Sequence, residues 1–205
     1  MSRPPVTADH VERTVRLAVD ALRPAPIERW DRRAGPMDCS CWEAADHLCS
    51  ALFRYASRFG LRTPPTDRSV AIDPGPRDQI VLDRKVGAPL EGVESMGSLL
   101  VAMLGTAGPE WRAWHIWGVA DPEGFAAMGV VETGVHAWDL AQGLGLEWRL
   151  PDELGAPALA RLFPEAPSAT DPWATLLWAT GRGDLPGHGR RDPDWSWHSA
   201  PLSVG

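Results

Sequence analysis

The stretch that most restricts the fold is "MGVVETGVHAWDLAQGLG", Met128 to Gly145. Its periodicity predicts a helix in which positions 125, 128, 129, 132, 135, 136, 139, 140 and 143 share one face. Phe125, Met128, Gly129, Val135, Leu140 and Gly143 make that face apolar or small, yet Glu132, His136 and Asp139 lie on it too. Burying an unpaired carboxylate is costly. A partner for Glu132 must therefore exist.

Three further helices can supply it. The first is predicted over Ala8 to Leu22, with Thr7 or Asp9 as cap and Val11, Val15, Ala18 and Leu22 inward. The second starts at Ser40, where "SCWE" reads as a capping box with Glu43 at its third helical position. Its inward stripe is Ala44, Leu48, Ala51, Leu52, Tyr55 and Phe59, and Gly60 stops it. A third spans Pro89 to Leu104, with Val93, Met96, Leu99, Leu100 and Met103 inward. The fourth, opened by Asp121 and Pro122, contains the charged stripe and runs to about Gly143. Between the second and third lies a Pro-, Asp- and Arg-rich stretch, Leu61 to Ala88. Its "RSVAI" and "QIVLDRKV" read as short strands or extended cover. Beyond Leu150 come shorter helices near Asp152 to Leu162 and Asp171 to Thr180, and "WSWHS" reads as extended. The expectation is an all-α four-helix bundle over 1–150, with a helical and irregular C-terminal extension, 151–205, packed on it as one domain.

A net charge of −7 argues against nucleic-acid and anionic-membrane partners. No apolar run reaches the roughly 20 residues a bilayer span needs. Charges interrupt the N-terminal apolar segment, so no secretory signal is read there, and the protein is expected to be cytoplasmic. Cys39, Cys41 and Cys49 are odd in number and suit reduced thiols. Cys39-x-Cys41 has the wrong spacing for a zinc knuckle. Eleven tryptophans either seal a small core or line an apolar pocket.

Glu132 and His136 stand four apart, so both side chains can reach one ion, and carboxylate oxygen with imidazole nitrogen suits zinc and related metals. His47, at the edge of the second helix's inward stripe, is the best third ligand. The spacing alone is weak, because chance places about 0.3 Glu-x-x-x-His pairs in a chain with eleven Glu and six His. A second such pair, Glu43 and His47, is explained by the capping box. The alternative to a metal is an arginine or a backbone group satisfying Glu132. Asp139 either orients the imidazole of His136 or bonds an Arg or Trp N–H. His115, with Trp114 and Trp117 in "WRAWHIWG", either faces a pocket mouth or is a satisfied structural histidine. His10, His188 and His198 lack supporting context.

The residues so gathered resemble the DinB/YfiT-like superfamily of metalloenzymes, and within it the mycothiol-dependent maleylpyruvate isomerase N-terminal-domain group. The resemblance rests on "CSCWEAADHLCSAL", "GFAAMGVVETGVHAWDLAQGLGL" and the tail "DPWATLLWATGRG" followed by "WSW"; Leu61 to Ala88 matches poorly. It implies an up-down-down-up bundle whose long crossover is Leu61 to Ala88. It also implies zinc or nickel held by His47, Glu132 and His136, and a low-molecular-weight thiol such as mycothiol as co-substrate. Dimerisation through bundle helices is common in the superfamily, so a homodimer is among the implied states. The expected function is a divalent-metal-dependent enzyme that uses or transfers such a thiol on a small organic electrophile, with a pocket formed by His115, Trp114 and Trp117. The chain ends before a second domain of the isomerase type could form, which argues against maleylpyruvate itself. The rival readings are a non-catalytic metal-binding protein and a metal-dependent hydrolase of the same fold.

Overall fold

A computed structural model describes residues 4–71, 80–192 and 194–202. Among these every regular element is helical: α1 (Ala8–Leu22), α2 (Cys41–Phe59), α3 (Ala88–Leu104), α4 (Pro122–Leu144), α5 (Asp152–Leu162) and α6 (Pro172–Ala179), with a 3-10 turn at Ile27–Arg29. No helix is long and apolar enough to cross a membrane among the described residues.

The helix starts follow from local chemistry. Ser40 and Glu43 form the reciprocal box: the Glu43 carboxylate accepts from the Ser40 N–H at 2.9 Å, and the Ser40 hydroxyl accepts from the Glu43 N–H. Asp121 accepts from the Gly124 N–H at 2.7 Å and opens α4, with Pro122 in the first turn. His10 has a capping role instead of a site role, because its Nδ1 lies 2.9 Å from the Thr7 hydroxyl at the start of α1. Gly145 closes α4 in the left-handed region at φ 72°, which an L side chain rarely adopts.

Helices α1 and α2 each pack against both α3 and α4. The α3 stripe differs from the expected one. Val93, Gly97, Leu100 and Leu104 are buried, whereas Leu99 is exposed and Met96 and Met103 are half-buried. The reason is Gly97: a Cβ there would lie 2.6 Å from Val15 Cγ2, so the glycine sets the line of closest approach to α1 and turns Leu99 outward. The α4 face is also wider than expected. Residues from Gly124 to Ala141 are buried nearly all round, because α5 covers the side opposite α1 and α2. Of the two readings of 61–88, short strands or extended cover, no strand forms among the described residues. Ser69 to Ala71 and Ile80 to Asp83 are irregular, and Ile72 of "RSVAI" and Gln79 of "QIVLDRKV" lie outside the described residues. What pins this crossover is buried Asp46, which accepts from the Leu82 N–H at 2.9 Å and pairs with Arg84 at 2.8 Å.

Two devices bring the later chain to the site. Arg161, fully buried, pairs with Asp121 at 2.9 Å and donates to the carbonyls of His198 and Ser199. That fixes the "WSWHS" tail against the start of α4. The second is a tight turn, His115 to Gly118, closed by reciprocal backbone bonds and flanked by the antiparallel pairing of Ala113 with Ala120. The Trp114 N–H donates to Pro65 O, and Arg58 Nε donates to Trp114 O at 2.7 Å, so the turn is held by both the crossover and α2.

Candidate metal centre

His47 projects from the middle of α2 and Glu132 and His136 from the middle of α4. One ligand atom from each lies within 4.8 Å of the others. His136 is buried, and His47 and Glu132 are partly exposed. This group could hold a metal ion. Three donors, two imidazoles and a carboxylate, are a set that divalent transition metals accept with coordination positions left open.

Glu132 and His136 are held from behind. His136 Nε2 lies 3.2 Å from Glu132 Oε2, and its Nδ1 lies 3.0 Å from Asp139 Oδ2. Asp139, fully buried, is anchored in turn by Arg182, which reaches Oδ2 with Nη2 at 2.9 Å and spans both carboxylate oxygens with Nε. Both sequence readings of Asp139 therefore occur together: it faces the imidazole and it is paired with an arginine. The remaining oxygen of Glu132, Oε1, accepts from the Tyr55 hydroxyl at 2.9 Å. The His47 ring meets the His136 ring edge-on, with centroids 4.9 Å apart.

The electrostatics follow from burial against these bonds. Burial and the neighbouring His136 push the His47 pKa down. For His136 burial acts in the same direction, but the bonds to Asp139 and Glu132 outweigh it and raise its pKa. Burial opposes the charged form of Glu132, while the bonds from His136 and Tyr55 and the charges of both histidines hold its pKa low.

Two cavities meet at this group. One, of about 380 Å³, is lined by Ser50, Arg54, Arg58, Trp114 and Ile80 among others. The second, of about 350 Å³, is walled by Met37, Val131, Val135, Trp117, Trp195 and Trp197. His47, Tyr55, Glu132 and His115 line both. Of the three residues expected at a pocket mouth, Trp114 falls in the first cavity, Trp117 in the second and His115 between them. The tryptophans divide the same way: Trp117 and Trp197 pack edge-on at 4.6 Å, whereas Trp111 stacks on Phe59 in the core. His115 is buried with its pKa lowered to about 4, by burial first and by Arg58 second.

Tyr55, Arg182 and Arg58 were not singled out from sequence. Tyr55 carried a usable signal. It is the only tyrosine, sits eight residues after His47 on the same stripe, and a buried hydroxyl needs a partner. Arg182 carried none, because it reaches Asp139 from a loop 43 residues further on.

Comparison of the chain with family models, curated proteins and solved structures gives no match.

Proposed function

We propose that this protein is a divalent-metal-dependent enzyme, using zinc or nickel, that employs or transfers a low-molecular-weight thiol such as mycothiol on a small organic electrophile. The observation that carries the reading is the position of His47, Glu132 and His136, a three-donor set at the junction of two cavities. One cavity can admit the thiol and the other the electrophile, with both reaching the same centre. The packing supports a DinB-like, up-down-down-up bundle: α1 and α2 are each flanked by α3 and α4, and the long connection falls between α2 and α3.

A divalent ion bound there would lower the pKa of a thiol or water reaching its open position. The protein's own groups define the rest. Asp139 fixes the His136 ring through Nδ1, so Nε2 is directed to the ligand position, and Arg182 keeps that carboxylate charged. Tyr55 holds Oε1 of Glu132, leaving Oε2 for the ion. The Trp117, Trp195 and Trp197 wall of the second cavity suits an apolar or aromatic group.

Cobalt-substituted protein tests the reading. Addition of mycothiol is expected to give a sulfur-to-metal charge-transfer band that is missing in His136→Ala and retained in Cys39→Ser, Cys41→Ser and Cys49→Ser. A metal-loaded protein whose spectrum no thiol perturbs would sink the thiol reading and favour a water-activating hydrolase.

A further inference from the structure

The first cavity contains a cation that the metal centre does not use. Arg58 is 5% exposed and lines that cavity. Its Nε donates to Trp114 O and its Nη1 to Arg54 O, both neutral carbonyls. The guanidinium lies over Phe125 at 5.5 Å and Tyr55 at 5.8 Å. No carboxylate among the described residues pairs with it, and Nη2 has no protein acceptor among them. Arg161, the other arginine buried this deeply among the described residues, has a counter-charge in Asp121. A buried charge left unpaired is costly, and burial accordingly lowers the Arg58 pKa to about 10.

His115 stands beside it with a second donor. The Trp117 N–H donates to His115 Nδ1 at 3.2 Å, and the Ser199 hydroxyl lies 3.2 Å from the same nitrogen. Nδ1 is therefore the acceptor of the neutral ring, and Nε2 carries the hydrogen. That N–H has no acceptor among the described residues. The other charged groups of the cavity are Arg54 and Glu132, the latter already engaged by Tyr55 and His136. The polar groups are set in a partly apolar wall of Val70, Ile80, Ile116 and Trp114.

We propose that this cavity is a subsite for a small organic carboxylate, paired by Arg58 and hydrogen-bonded by His115 Nε2–H. The substrate class this adds to the thiol-enzyme reading, on which it rests, is an electrophile bearing a carboxylate. A guanidinium fork matches that group in shape and charge.

Benzoate and benzamide are matched probes, one charged and one not. Binding is measured by calorimetry on the full chain, both metal-free and zinc-loaded. Benzoate is expected to bind both forms at least about tenfold more tightly than benzamide, the worth of a charged hydrogen bond. Arg58→Gln should abolish that preference. Equal binding of the two probes, absence of binding by either, or a preference that survives Arg58→Gln would overturn the subsite. Where Arg58→Gln does not fold, the wild-type protein decides: benzoate should shift the Arg58 guanidinium nitrogen resonance and benzamide should not, and an unmoved resonance overturns the proposal. Metal uptake without the carboxylate preference breaks this inference alone. The preference without metal uptake breaks the metal reading alone.

Discussion

The chain contains two Glu-x-x-x-His pairs that are alike in spacing and unlike in fate. Glu43 and His47 lie on α2, Glu132 and His136 on α4. Glu43 sits in the first turn, where backbone N–H groups lack helical partners, and its carboxylate turns back to Ser40. Glu132 sits mid-helix, where the backbone donors are consumed, so only side chains or an ion can satisfy it. Tyr55 and His136 do so from two sides. His47 leaves its own helix's glutamate and joins the pair on α4. Position within the helix, not spacing, separates a capping carboxylate from one that could hold an ion.

The strongest way to break this contrast is to remove ligands. Zinc should raise the thermal midpoint of the wild-type protein, because it binds the folded state; at 100 times its dissociation constant the gain is about 2.7 kcal/mol. His136→Ala, Glu132→Gln and His47→Ala should each abolish the zinc-induced rise, as followed by circular dichroism melts. A rise preserved in all three would place the ion elsewhere.

Next in size is the support behind His136. Asp139→Asn keeps the shape but removes the charge that orients the ring, and should weaken zinc binding about 10- to 100-fold, read by chelator competition. An unchanged affinity would reduce Asp139 to a partner of Arg182 alone.

A proton count sharpens the same point. The raised pKa of His136 favours the folded protein below the ordinary value of 6.5, and that contribution is lost as pH rises through the folded value. Zinc needs the neutral ring, so its affinity should climb with pH over the same window. The lowered pKa of His47 gives it the smaller share in the accompanying proton release. Near pH 6.5 uptake should therefore release about one proton per ion in wild type and less in Asp139→Asn, measured in weakly buffered solution. Release of two would mean both histidines start charged.

The smallest effect belongs to the other glutamate. Glu43→Gln still offers an acceptor to the Ser40 N–H, so it should cost less than about 1 kcal/mol and leave zinc affinity unchanged. A loss comparable to that of His47→Ala would mean the capping assignment is wrong.

Much of this was legible because the relevant signals are local. Caps at Ser40 and Asp121 and 3.6-residue periodicity located α2 and α4 and put His47, Glu132 and His136 on inward faces. Leu99 was misplaced because a helix's inward line depends on its neighbour, and Gly97 against Val15 sets that line. Arg182 reaches the site through its long-range pair with Asp139, and the Trp195 and Trp197 wall through a tail fixed by Arg161; no local pattern encodes either. Arg58 stands out only through its burial with no carboxylate partner among the described residues.

One divalent ion is expected to belong to His47, Glu132 and His136. Elemental analysis of untagged protein purified without chelators tests it most directly. Wild type and Glu43→Gln should contain close to one ion per chain, and His47→Ala, Glu132→Gln and His136→Ala close to none. Equal metal content in all five proteins would contradict the account.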